Sequence, residues 1–253
     1  MTRPRTALVV GGAGAIGAAC VTALVRDGLA VVVADLDPAA AEAVAAQTGA
    51  AGALALDVTA PASVGDGVSA AVAILGGLDV AVNLAAVGGP AVRLHEYDDA
   101  SWERVVDVNL NGTFRCLREQ VRAMLGLGSG GSIVVVSSVG AEVGLAGAAA
   151  YATSKHALTG LTRSAALEYA GDGIRVNAVA PGFVDTALLR SRRSPTQLRR
   201  LEAAHALGRL ADVAEVAEVV RFLASPAAGF VTGSCYGVDG GFLAGDAALL
   251  DRA

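Results

Sequence analysis

Aromatic residues are scarce in this chain: 253 residues carry five Phe, four Tyr and a single Trp. A core cannot be built on rings here and must come mainly from Val, Leu, Ile and Ala, within an apolar content of 54%. That mixture suits parallel strands buried under helices. Cysteine is scarcer still. Cys20, Cys116 and Cys235 lie far apart with no CxxC pair, which excludes a local zinc motif and a dense disulfide framework and fits a reducing, cytoplasmic compartment. Net positive charge is also missing: the formal charge is −5, and no basic strip interleaved with aromatics offers a footprint for nucleic acid. One long uncharged run, residues 6–25, follows Arg3 and Arg5 and on composition alone would suit a signal peptide or a short membrane span. Gly11, Gly12, Gly14 and Gly17 interrupt that run at a spacing that targeting leaves unexplained, so no membrane association is expected.

The length allows one large α/β core over residues 1–253 with little left for a second domain. Predominantly apolar runs at 7–10, 29–34, 53–56, 80–83, 133–136, 174–179 and 236–238 read as strands, the β-branched 133–136 most strongly. Helical stretches at 18–25, 39–46, 63–75, 105–123, 149–169 and 213–224 alternate with them. This rhythm predicts a doubly wound parallel sheet. Neither repeats nor a linker interrupt it, and residues 183–210 read as a segment covering a pocket.

Gly12, Gly14 and Gly17 form a GxGxxG pattern between the first strand and the first helix, with Asp35 closing the second strand. Glycine leaves no Cβ between the backbone and a pyrophosphate, whose charge meets the amides of a helix N-terminus, and a carboxylate at Asp35 accepts from ribose hydroxyls. A glycine turn can also be purely structural; the position of Asp35 favours the dinucleotide. Asp57 ends the third strand, either to accept from an adenine amine or to cap a turn. Asn83 ends the fourth, either near the nicotinamide side of the crevice or as a turn residue.

Tyr151 and Lys155 are four residues apart in an expected helix and so share a face. A phenol with a reference pKa of about 10 is a weak base at neutral pH, and a neighbouring ammonium would lower that value. Ser138 at a strand end can orient a substrate oxygen, and Asn109 can hold a backbone carbonyl or a water near Lys155. Each residue also has a bland reading, the pair as surface decoration and Ser138 as a turn cap. None of the three histidines, His95, His156 and His205, is needed as a base, and no metal is required.

With these motifs the chain resembles the short-chain dehydrogenase/reductase family over almost all of its length. The glycine turn of that family corresponds to Val10, Gly11, Gly12, Ala13, Gly14, Ala15, Ile16 and Gly17, with Val10 replacing its usual Thr and Ala15 its middle Gly. Its NNAG segment corresponds to Asn83, Leu84, Ala85 and Ala86, of which only Asn83 and Ala85 are kept. The resemblance assigns Asn109, Ser138, Tyr151 and Lys155 to a catalytic tetrad. It also places Pro181, Gly182, the Val184 amide and Thr186 near the nicotinamide, and Val58 beside Asp57 in the cofactor set. It implies a Rossmann fold with strand order 3-2-1-4-5-6-7 and a homotetramer or dimer.

The expected reaction interconverts a small alcohol and its ketone with NAD, Tyr151 exchanging the hydroxyl proton. Val87, Val92, Leu94, Val143, Leu145, Phe183 and Leu188 suggest an apolar pocket for a cyclic or aryl secondary alcohol, with Glu142 either reaching a substrate hydroxyl or facing solvent. A reductase of biosynthetic ketones or carrier-bound 3-oxoacyl groups is the enzymatic alternative, in which Arg190, Arg192, Arg193, Arg199 and Arg200 would attract a phosphate-bearing carrier instead of forming a solvated face. A nucleotide-responsive binding protein without turnover is the non-enzymatic one.

Overall fold

The computed structural model describes residues 4–245. Seven parallel strands form one sheet in the order β3-β2-β1-β4-β5-β6-β7: β1 Thr6–Val10, β2 Ala30–Asp35, β3 Gly52–Ala55, β4 Val80–Asn83, β5 Gly131–Val136, β6 Ile174–Pro181 and β7 Cys235–Val238. The strand order agrees with the one implied by the family resemblance. Residues 6–25, ambiguous by composition, form the buried central strand β1, the glycine turn and α1 (Ala15–Arg26). Among the described residues no helix is long and apolar enough to cross a membrane.

Successive strand residues point to opposite faces, and the alternation divides the core in two. Val9, Val33, Val82, Val134 and Val179 pack under α1, α2 (Pro38–Thr48) and α9 (Val213–Ala224). Leu8, Val32, Ala81, Ile133 and Val176 pack under α3 (Pro61–Leu75), α5 (Thr113–Leu127) and α6 (Ala149–Tyr169). With both faces covered, every central strand can be apolar throughout, as the valine runs anticipate.

Three differences from the expected elements bear on the site. The long helix expected over 105–123 begins as α4 (Asp99–Val106), widens into a π-helical turn over Asp107–Gly112 and continues as α5. Strand β6 runs on through Pro181 because Ala180 and Pro181 still pair with Gly237 and Val238. Within 183–210 two short helices appear, α7 (Ala187–Ser191) and α8 (Pro195–Ala203). Neither has a buried residue, so no apolar stripe announced them; their caps are Thr186, and Ser194 with Gln197.

Candidate active site

The glycine turn sits where β1 ends between β2 and β4, and its fit is a matter of backbone contact. Gly11 and Gly12 both donate to Ala34 O, at 2.8 and 3.1 Å. A Cβ on Gly17 would lie 2.3 Å from Gly11 O, and one on Gly11, at φ +78°, would lie 2.6 Å from Ala85 N. Gly14 is different: its nearest neighbour would be Gly11 O at 3.6 Å and its φ of −67° is ordinary, so nothing in the chain itself demands a bare backbone there. Behind it α1 starts with Ala15, part-buried Ile16 and Gly17, with no side-chain cap and no acidic residue in its first turn. Uncapped amides above an open glycine make a cradle that fits a pyrophosphate.

Asp35, at the end of β2, accepts from Ala13 N (3.0 Å) and thereby ties its carboxylate to the turn. Asp57 spends Oδ1 on Thr59, taking bonds from its N–H (2.8 Å) and its hydroxyl (2.7 Å). The turn-capping role of Asp57 is therefore present, with its other oxygen left for a ligand. Val58 is buried beside it, its carbonyl held by Arg115 (3.1 Å). Gly11, Gly14, Asp35, Asp57, Val87 and Asn111 line parts of one cleft of about 1160 Å³. Asn83 is turned away: its amide exchanges two 2.9 Å hydrogen bonds with buried Gln120 on α5, so its side chain locks β4 to that helix and does not reach toward the crevice.

Ser138 follows the end of β5, and its Oγ accepts from Gly140 N at 3.1 Å. It is also a hydrogen-bond partner of the Tyr151 phenol on the first turn of α6. One turn later Lys155 is buried, its Nζ 5.6 Å from the Tyr151 ring centre and donating to Val136 O at 3.0 Å. The expected lowering of the tyrosine pKa is not what this arrangement gives. Burial raises the Tyr151 phenol above its ordinary value, and the bond with Ser138 offsets that only in part. Lys155 is itself pulled down to about 8 by burial, with its ammonium aimed at a strand carbonyl.

Asn109, fully buried in the π-helical turn, clamps Val87 by accepting from its N–H (2.8 Å) and donating to its C=O (3.0 Å). It holds a backbone carbonyl, but that of Val87, and its own carbonyl accepts from Thr113 (2.7 Å). A π turn inside a helix redirects side chains in this manner and often marks functional positions.

Beyond β6, a parallel bridge between Val184 and Ala211 uses Asp185 N and Phe183 O, leaving the Val184 N–H outside its pair of hydrogen bonds. Pro181 is buried, and Thr186 caps α7 by accepting from Leu189 N at 3.2 Å. A Cβ on Gly182 would lie 2.7 Å from His205 Nε2. Of the eight expected substrate-wall residues only Val87 lines the large cleft. Leu94 and Leu188 are exposed, and Val92, Val143 and Leu145 are half-buried. The Phe183 ring is engaged edge-on with His205 and Phe242. Glu142 is exposed, and its charge acts on Cys235 of β7, which favours the solvent-facing reading. Among the described residues no group of three His, Cys, Asp or Glu is gathered to hold a metal ion.

A family model described as enoyl-(acyl carrier protein) reductase matches residues 11–243. The chain is 44% identical over 245 residues to cis-4-hydroxycyclohexanecarboxylate dehydrogenase of Sinomonas cyclohexanicum, covering 95% of this chain and 97% of that one. It is 41% identical to 2,5-dichloro-2,5-cyclohexadiene-1,4-diol dehydrogenase of Sphingobium indicum, with 95% and 97% covered. Among solved structures it is similar to gox2181, with a TM-score of 0.93, 37% identity, and 96% and 97% of the chains covered. The chain belongs to the short-chain dehydrogenase/reductase family.

Membership makes it an oxidoreductase that uses a nicotinamide dinucleotide, for which the uncapped cradle and Asp35 are a physical fit. The roles of two residues of this family member escaped the sequence reading. Ser154, fully buried, accepts from Asn109 Nδ2 (3.1 Å) and donates to Tyr151 O (2.7 Å), joining Asn109 to the backbone of Tyr151. Its place one residue before Lys155 was the only available signal. His205 lies within residues 183–210 but is buried; its Nε2 accepts from Phe183 N (3.2 Å), which puts the proton on Nδ1, facing Leu201 O at 2.7 Å. It therefore pins the end of that segment to the end of β6.

Proposed function

We propose that this protein is an NAD-dependent dehydrogenase interconverting small cyclic or aryl secondary alcohols and their ketones. The observation that carries the reading is the set of buried Ser138, part-buried Tyr151 and buried Lys155, which β5 and α6 bring to the same end of the sheet as the open glycine turn. The ring-bearing substrates in the names of both relatives support the choice of alcohol, as does the apolar Val87 in the wall of the cleft.

In this reading Ser138 Oγ holds the substrate oxygen, and Tyr151 Oη accepts its proton as the alcohol is oxidised. The bound dinucleotide supplies the hydride acceptor. A neutral phenol is a poor proton acceptor, so a cation must come close when Tyr151 is charged; Lys155, one helical turn away, is the group that can supply it. Asn109 acts through position, fixing Val87 and, through Ser154, the backbone of Tyr151. Gly11, Gly12, Gly14, Ile16 and Gly17 hold the pyrophosphate, Asp35 the adenosine ribose, Asp57 and Val58 the adenine, and Pro181 to Thr186 the nicotinamide end. Residues 183–210 cover the alcohol.

NAD is preferred to NADP because Asp35 would face a 2′-phosphate. A unit like-charge contact near 4 Å costs about 1 to 4 kcal/mol between bulk water and a surface-like dielectric. The adjoining Leu36 and Asp37 bring no cation to offset it. Steady-state assays with NAD and NADP at matched ionic strength, against cyclic alcohols, their ketones and 3-oxoacyl thioesters, test the proposal. Equal efficiency with NADP would overturn the cofactor assignment, turnover of thioesters alone would replace the alcohol reading, and tight dinucleotide binding without any hydride transfer would make this a binding protein.

A further inference from the structure

The arginines of the covering segment have no part in that chemistry, yet they are unevenly placed. Residues 183–210 carry six arginines against Asp185 and Glu202, in a chain whose net charge is −5. Most are accounted for. Arg190 forks onto Asp185, Arg209 onto Glu215, and Arg199 donates to Thr196 Oγ1 at 3.2 Å. Arg193 reaches only the neighbouring carbonyl of Arg192, at 3.5 Å, and Arg200 is exposed on α8. Arg192 has no carboxylate partner among the described residues, and its Nη1 lies 3.8 Å from where a Cβ on Gly88 would sit. Gly88 directly follows Val87, the residue whose backbone Asn109 clamps from the catalytic side. The guanidinium at the end of α7 thus reaches across to the loop that carries the substrate wall.

We infer that Arg192 is a specificity residue that selects ring alcohols bearing a carboxylate away from the reacting hydroxyl, an inference that rests on the function proposed above. An exposed guanidinium without a carboxylate partner among the described residues, beside the loop that follows Val87, matches one planar anion, which it can take in a two-pronged hydrogen bond. A phosphate-bearing carrier would call for several converging cations, whereas Arg190, Arg199 and Arg209 are engaged elsewhere. The excess of arginine around Arg192 would also draw anionic substrates toward the mouth.

The test compares wild type, Arg192→Gln and Arg193→Gln on cyclohexanol and 4-hydroxycyclohexanecarboxylate with saturating NAD. The wild type is expected to favour the carboxylate through a lower KM, and Arg192→Gln to raise that KM roughly five- to tenfold at similar kcat, as loss of uniform binding would do. Arg193→Gln is expected to keep the wild-type ratio between the two substrates. Calorimetric binding of the carboxylate to the protein–NAD complex should weaken by the same factor in Arg192→Gln alone. An unchanged ratio in Arg192→Gln, or an equal fall in Arg193→Gln, would overturn the inference and leave the basic segment as a diffuse field. If the wild type oxidises neither alcohol, the proposed function fails, while the binding measurement still decides the role of Arg192.

Discussion

Around the glycine turn the fit is between backbone atoms: Gly17 against Gly11 O, Gly11 against Ala85 N, and two amides sharing Ala34 O. Around Tyr151 it is between side chains, with Asn109, Ser138, Ser154 and Lys155 each buried and each spending its polar atoms on a named partner. The first kind of fit tolerates no added atom, because backbone cannot step aside. The second tolerates shape changes but not the loss of a donor or acceptor, because a buried polar group left alone costs about 1 to 3 kcal/mol. Substitutions in the two regions should therefore fail in different ways.

The largest effect is expected at the phenol. Tyr151→Phe keeps the ring and removes only the transferable proton, so turnover should fall by about 10² to 10⁴. Dinucleotide binding, read by fluorescence titration, should stay near that of the wild type. Near-normal turnover would remove Tyr151 from the chemistry. In the turn, Gly17→Ala places a methyl 2.3 Å from Gly11 O and 2.8 Å from the Gly12 Cα. Overpacking of this kind costs about 1 to 3 kcal/mol. The expected result is the reverse pattern, a lower melting temperature together with weaker dinucleotide binding. If Gly17→Ala melts and binds like the wild type, the backbone-fit account of the turn is wrong.

How much of each region could be read in advance follows the same division. The turn was legible because a local spacing encodes it: glycines at fixed offsets after an apolar strand, then Asp35. Tyr151 and Lys155 were legible because a helix puts residues four apart on one face. The tie from Asn109 through Ser154 to Tyr151 was not, since it joins a π-helical turn to another helix and no local pattern specifies a π turn. Asn83 misled for a related reason: a strand-end asparagine suits a crevice, but the buried Gln120 amide opposite takes both of its polar atoms. Helices α7 and α8 lacked a stripe, although Ser194, Pro195 and Gln197 spell an N-terminus that charge composition hid.

Lys155 offers a pH-dependent test of the side-chain region. Burial lowers its pKa to about 8, below the 10.5 of a free lysine. Below pH 8 the folded ligand-free protein bears the full cost of a buried ammonium. Between about 8 and 10.5 the folded state has released that proton while the unfolded state still holds it, so the lysine's contribution to stability rises with pH. Lys155→Met has no such titration. The gap in melting temperature between the two proteins should therefore shift in favour of the wild type as pH rises through this window, and a constant gap would mean that Lys155 is better solvated than its burial indicates.

The smallest effect concerns Ser154, and it separates hydrogen bonding from packing. Its hydroxyl is fully buried, donates to Tyr151 O and accepts from Asn109. Ser154→Ala leaves Asn109 attached to Val87 through both of its amide atoms but cuts the tie to α6. One such bond is worth about 1 kcal/mol, so kcat is expected to fall roughly fivefold with the KM for the dinucleotide unchanged. Ser154→Thr then discriminates. It restores the hydroxyl but adds a methyl to a fully buried site, so a packing role makes Thr worse than Ala, whereas a positioning role makes it better. Recovery of kcat in Ser154→Thr, with a melting temperature no higher than that of Ser154→Ala, is the expected outcome. If kcat instead tracks melting temperature through both variants, the three-residue link holds the fold and contributes nothing specific to the placement of Tyr151.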